Sequence, residues 1–204
     1  MDYELVRNVN AAAITRFHDA ALCPATAHAE RDRSFEAVWQ KIDENHRCNA
    51  LLWMEEDKAR RMDVADAYIA ACKRRIDRYN QQRNDAVEAI DERLLQALGR
   101  LPRHSGARLH SATAGAMIDR LSILSLKIHH MRMHAEAAGE DAARCRAKLV
   151  SLVEQRVDLA RCFDELIAGA ALGIVYFKVY RQHKMYNDPA LNPYLSMKRD
   201  GLVA

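Results

Sequence analysis

Residues 65–98 run without a glycine or a proline, and within them Ile69, Ile76, Ile90 and Ala97 recur at seven-residue intervals. That spacing holds side chains near one side of a helix, and at 1.5 Å per residue the segment spans about 50 Å. A helix of this length has to be a wall of something larger. The missing member of the series is Arg83, a charge where the pattern calls for an apolar side chain.

The rest of the chain agrees with a helical reading. Seven glycines and four prolines punctuate 204 residues, half of them apolar, and no run alternates as a half-buried strand would. The class is all-α, with helices expected near 3–21, 33–47, 49–61, 65–98, 114–137 and 141–184. These predict an antiparallel bundle of about six helices in which the fourth and the last are long. The chain reads as a single helical domain over 1–204: an N-terminal helix and linker (1–32), the bundle (33–184), and an irregular tail (185–204) rich in turn residues. It is long enough to bury roughly 70% of the surface its unfolded form exposes.

Charge and cysteine usage narrow the function classes. With 31 basic and 28 acidic side chains interspersed, the net charge of +3 leaves no broad basic face, which argues against nucleic acid as a partner. Five cysteines without a C-x-x-C pair suit reduced thiols and a cytoplasmic location. The longest apolar run, residues 166–177, is too short for a transmembrane segment.

Polar groups intrude on the predicted core at three places. Beside the apolar stripe of the long helix stand Lys73, Asp77, Asn80, Asn84, Glu88 and Asp91. The helix from 114 is apolar on two sides, with Asp119 inside the second face and Arg120 and Lys127 near it. In the last helix Arg156 interrupts the series Leu149, Phe163, Ala170, much as Arg83 does in its own. Such groups either satisfy one another or receive a ligand, because unpaired buried charge is costly.

Other features are weaker. The basic loop between Leu94 and Ile118 ends in "SATAG" at a helix start, where free backbone N–H groups could bind an anion. His130 and His134 are spaced i, i+4, but no cysteine, glutamate or third histidine completes a set, so no metal site is expected. Trp39 and Trp53, and Tyr176, Phe177 and Tyr180, read as core anchors.

Four blocks, "LLWMEEDKARR" (51–61), "KRRIDRYNQQRNDAVEAID" (73–91), "SATAGAMIDRLSILSLKIHHM" (111–131) and "YRQHKMYNDPALNP" (180–193), resemble an uncharacterised bacterial family, a domain of unknown function. The resemblance runs from about residue 34 onward. It implies a small cytoplasmic protein, with members often encoded beside glycosyltransferases of lipopolysaccharide or other surface-glycan assembly. The family's W-x-x-E-D-x-A-R block falls on Trp53, Glu56, Asp57, Ala59 and Arg60, and its N-Q-x-R-N-D block on Asn80, Gln81, Arg83, Asn84 and Asp85. Its D-R-L-S-I-L-x-L-K block covers Asp119 to Lys127, and K-M-Y-N-D-P-x-L-N-P covers Lys184 to Pro193. "SATAG" departs from the family's pattern, which has an acid after the serine and a proline before the glycine.

The leading expectation is an internal polar site for a phosphorylated or sugar ligand, an anionic sugar or nucleotide sugar, in envelope-glycan biosynthesis. Its ligand-binding candidates are Arg60, Lys73, Asn80, Arg83, Asn84, Glu88, Arg120, Lys127, Lys184, Tyr186, Asn187 and Asp188. Asp57, Asp77 or Asp119 would pair with Arg83 before the ligand arrives, then orient it or act as a base. No cofactor is required. One alternative is a non-catalytic adaptor docked on a glycosyltransferase, and the sequence leaves room for a homo-oligomer. Another is an all-α nucleotide pyrophosphohydrolase using Mg, with Asp85, Glu88, Asp91, Glu55 and Glu56 as its carboxylates.

Overall fold

The computed structural model describes residues 3–23, 35–99, 103–137, 141–183, 188 and 190–196. Its helices are α1 (Tyr3–Asn8), α2 (Ala11–Ala21), α3 (Glu36–Ala59), α4 (Asp66–Leu98), α5 (Ala114–Glu136), α6 (Ala142–Ala171) and the single turn α7 (Pro193–Ser196). The chain is mostly helical, as the scarcity of breakers predicts.

Three boundaries differ from expectation. The predicted first helix is broken at Asn10, whose extended backbone and side-chain oxygen, accepting the Ala13 N–H at 2.9 Å, make it the N-cap of α2. A second orphan donor of that first turn, the Ala11 N–H, reaches Asp164 on α6 at 2.8 Å. The two helices expected over 33–47 and 49–61 are one, α3, since nothing at Cys48–Asn49 interrupts the backbone ladder.

The last helix stops at Ala171, well short of 184, because Gly173 takes a left-handed φ of 71° and turns the chain out of the helical path. Beyond it β2 (Val175–Tyr176) pairs in parallel with β1 (Arg108–Leu109), so the long loop before α5 and the chain after α6 are stitched together. Arg181 then bonds Glu88 and Glu92 of α4, and the Gln182 N–H donates to Glu88 at 2.8 Å. Residues 172–183 are thus a strap across α4 in place of a predicted helical end.

α3 packs along α4, and α5 along α6, with further contacts from α3 and α4 to α5. One apolar core joins them: Trp39 and Ile42 of α3, Ile90 and Leu94 of α4, Ile118 and Leu121 of α5, and Phe163 and Ile167 of α6. Leu5 of α1, Ile14 and Phe17 of α2, and Val9 between the two helices belong to the same core, so the N-terminal segment is an integral part of it. Among the described residues no helix is long and apolar enough to cross a membrane.

α4 and α5 meet at a glycine. A Cβ on Gly115 would stand 2.4 Å from the Val87 carbonyl oxygen, closer than such atoms approach, so only glycine lets the start of α5 lie against α4.

Candidate functional site

The middle of α3 presents Asn45 and Asn49 at i, i+4, on one face of the helix, toward Asp119 and Ser122 at i, i+3 on α5. Asp119 Oδ1 accepts from Asn45 at 2.9 Å and from Asn49 at 2.8 Å. The Asn49 amide also donates to Ser122 Oγ at 3.0 Å, and His46 Nδ1 lies 2.8 Å from the same oxygen. With both amides buried, Asp119 is a satisfied acceptor, and the polar residue that disturbed the second apolar face of α5 is explained.

The seam continues toward α2 and α6. The His18 ring, fully buried, stacks on His46 with centroids 4.5 Å apart and planes 20° apart. Both His18 nitrogens and His46 Nε2 lack hydrogen-bond partners among the described residues. Burial drives the His18 imidazole well below its ordinary range, and the His46 and Arg156 charges add to this. Burial likewise lowers His46 to about 4, against the opposing pull of Asp43 and Asp19. Arg156 donates to Asp19 at 2.7 Å and to Ser125 at 3.3 Å, so this arginine is held by the fold itself.

Arg83 is different. Its guanidinium makes one long contact, 3.4 Å to Asn84 Oδ1, and its buried Nε has no partner. No carboxylate lies within 4.0 Å of it among the described residues, so the expected pairing with Asp57, Asp77 or Asp119 does not occur. Asp77 pairs with Lys73 on the exposed side of α4, Asp119 is taken by the two asparagines, and Asp57 is exposed. Arg83 and Asp119 both bear on Cys48, whose thiol burial pushes up, with Glu44 adding to the rise and Arg47 and Arg83 opposing it. Cys48 of α3 thus feels both Arg83 of α4 and Asp119 of α5, while the Asn45–Asn49–Asp119 triad joins α3 to α5.

The other sequence candidates are dispersed. Arg60, at the C-terminal end of α3, bonds its own helix through the Glu56 carbonyl at 2.6 Å. Lys73 and Arg120 are exposed, and Asn80 is half-buried on α4. Glu88 is bound by the strap, whose Arg181 holds its carboxylate below the usual range against the effect of burial. Lys127 lines a separate cavity of about 470 Å3 between α3, α5 and α6, together with Trp53 and His130. Asp188 is exposed and accepts the Ala190 N–H in a local turn; Lys184, Tyr186 and Asn187 lie outside the described residues.

The anion site expected at the start of α5 is filled by the chain itself. Thr113 caps the helix by accepting the Ala116 N–H, and the buried Asp91 Oδ1 accepts the Gly115 N–H at 2.6 Å. Burial pushes Asp91 up to about 6 in spite of the opposing Thr113 and Gly115 bonds. Glu55, a proposed magnesium ligand, is buried between Lys58 and Arg75, and no group of three His, Cys, Asp or Glu among the described residues is placed to hold a metal. Of the supposed core anchors, Trp39 and Phe177 are buried, but Tyr180 is 55% exposed and Tyr176 lies under the Arg103 guanidinium at 4.1 Å.

Sequence reasoning missed Asn45, His46, Asn49, Ser122 and His18. The available signal was the i, i+4 pair of asparagines, which a helix boundary placed between 47 and 49 cut apart. No curated protein and no solved structure is matched by this chain. A family profile described as protein of unknown function (DUF4254) matches residues 39–179, which takes in the blocks at 51–61, 73–91 and 111–131 and stops short of Lys184. The match spans most of α3, all of α4, α5 and α6, and both strands, so the chain belongs to the DUF4254 family.

Proposed function

We propose that this protein binds a phosphorylated or sugar ligand at the polar region around Arg83 and acts in bacterial envelope-glycan biosynthesis in the cytoplasm. We read residues 1–204 as one domain whose four long helices form an antiparallel bundle. The glycan setting rests on the resemblance to a family often encoded beside glycosyltransferases. The observation that carries the ligand reading is Arg83: a guanidinium on α4 with, among the described residues, no carboxylate partner and an unpartnered Nε. Such a group is a planar, two-pronged donor for phosphate or carboxylate. Asn84 and Asn80 would bond ligand hydroxyls, while Asp119, fixed by two amides, would orient the ligand or accept a proton from it.

A thermal-shift screen against nucleotide sugars, sugar phosphates and inorganic phosphate, on the native protein and on Arg83→Met, tests this. A ligand at a hundred times its dissociation constant adds about 2.7 kcal/mol of stability. The expected result is a shift that Arg83→Met abolishes while remaining folded. A shift by sugar phosphates or inorganic phosphate that Arg83→Met leaves intact would sink the assignment.

The second reading, a non-catalytic partner of a glycosyltransferase, draws on Val150 and Val157, which are 70% and 62% exposed one heptad apart on α6. A stable complex on co-expression that Val157→Glu disrupts, with no small-molecule shift in the screen, would favour it. The magnesium pyrophosphohydrolase reading gains nothing from the carboxylates, since Glu55, Glu88 and Asp91 are each engaged by the chain's own donors.

A further inference from the structure

Trp53 stands one turn beyond Asn49 on α3, and His130 about two turns beyond Ser122 on α5. Their rings lie face to face, with centroids 4.6 Å apart and planes 2° apart, and His129 packs edge-on against His130. Burial holds His130 below its ordinary range, with the His129 and His134 charges assisting and Asp57 opposing. Trp53 and His130 thus form a preorganised two-ring stack, each ring covering one face of the other, whose outer face is the aromatic wall left for a ligand.

That wall bounds the cavity of about 470 Å3, which α6 closes from the other side with Leu152 and Lys148. The volume lies within the about 300–1,000 Å3 of small-molecule sites. Lys127 and Lys148 line it from opposite helices, both exposed and neither with a carboxylate within 4.0 Å among the described residues. Lys41, Lys58 and Lys73, by contrast, each have one. A flat aromatic wall, an apolar floor of Met131 and Leu152, and two uncompensated cations describe a ligand that is planar at one end and anionic at the other. Ser151 and Gln155 add polar groups suited to hydroxyls between the two ends.

We propose that this cleft binds a nucleoside phosphate, its base stacked against the Trp53–His130 wall and its phosphate between Lys127 and Lys148. Stacking of a base on an aromatic face tolerates any base, so the site favours the class over one nucleotide. The proposal is independent of Arg83, which lies outside the cavity.

The chain has two tryptophans, and Trp39 is buried in the core, so Trp39→Phe leaves Trp53 as the one emitter and a direct reporter of the cleft. AMP and UMP should quench its emission saturably, while adenosine and inorganic phosphate, each lacking one half of the recognition, should bind at least roughly tenfold more weakly. Lys127→Glu and Lys148→Glu should each weaken AMP binding by roughly tenfold or more, and Lys41→Glu, a charge reversal outside the cavity, should leave it unchanged. Calorimetric titration of the native chain with AMP gives the same answer should Trp39→Phe not fold. No saturable binding up to about 10 mM, binding that survives both charge reversals, or adenosine binding as tightly as AMP would overturn the proposal. Loss of AMP binding in Arg83→Met with the lysine variants unaffected would overturn the placement of the site in the cleft.

Discussion

Gly115→Ala sets two effects of opposite sign against each other. Gly115 is the second residue of α5, and alanine is the better helix former by up to about 1 kcal/mol, which on propensity alone would stabilise the chain. The packing opposes it more strongly. The new Cβ would sit 2.4 Å from the Val87 carbonyl oxygen and 3.0 Å from Asp91 Cγ and Oδ1. A carbon–oxygen contact relaxes at roughly 3.3 Å, so α4 and α5 must part by nearly 1 Å. Val87 O belongs to the α4 backbone and cannot rotate aside. The same displacement would stretch the 2.6 Å bond from the Gly115 N–H to Asp91 to about 3.5 Å, the limit of hydrogen-bonding range. Overpacking costs about 1–3 kcal/mol and a lost bond to a buried carboxylate about 1.5–3 kcal/mol, and part of the two is one relaxation. Net destabilisation of about 2–4 kcal/mol is expected, lowering Tm by roughly 5–15 °C for a chain of this size. Urea unfolding followed by far-UV circular dichroism measures it, with Gly106→Ala as the control, since nothing lies within 4 Å of a Cβ there. A Gly115→Ala protein as stable as the control would show that α5 can leave α4 cheaply and that the close approach does not hold the interface.

Three further outcomes are expected. The folded His46 value of about 4 and the depressed His18 lie below the unfolded 6.5, so their contribution is present above about pH 6.5 and lost as pH falls toward 4. His18→Phe keeps the stack without the unpartnered nitrogens; it should match the native protein in urea at pH 7.5 and exceed it at pH 5, and an unchanged pH slope would refute the buried-neutral assignment. Asp91 has the opposite sign: raised from 3.8 to about 6, its contribution is present below about 3.8 and lost as pH rises through 6. Asp91→Asn, which retains an acceptor for Gly115, should therefore gain on the native protein between pH 4 and pH 7, by at most roughly 3 kcal/mol, and a gain that does not vary with pH would count against the shift. Glu88→Ala removes two of the three bonds that pin the strap to α4, leaving Arg181 to Glu92, so trypsin should cut after Lys178 or Arg181 several times faster while Tm moves little, Arg181 being exposed; unchanged proteolysis would mean that the Glu92 bond and the β1–β2 pairing suffice to hold the segment.

What was legible in the sequence was local. The heptad spacing of Ile69, Ile76 and Ile90 places α4 within a residue of its observed start, because a helix's own periodicity and breakers decide it. The end of α6 was not, since nothing before Gly173 breaks the pattern and the strap that replaces the last turns is stabilised by Glu88, Glu92 and β1, all distant in sequence. The same distance hides the polar seam: Asp119 meets Asn45 and Asn49 across 74 and 70 residues. Arg83 and Arg156 make the point most sharply. In sequence they are the same observation, an arginine replacing an apolar member of a seven-residue series, and periodicity can say only which face each occupies. Asp19, 137 residues from Arg156 and outside the stretch that the family profile matches, turns one of them into a structural ion pair. Among the described residues no carboxylate does this for Arg83, and with Asp119 already taken by two amides, none of those proposed to pair with it lies within reach. A charge placed on an apolar face by pattern is thus uninformative until its partners are counted, and after the count Arg156 is a structural ion pair while Arg83 has no carboxylate partner among the described residues.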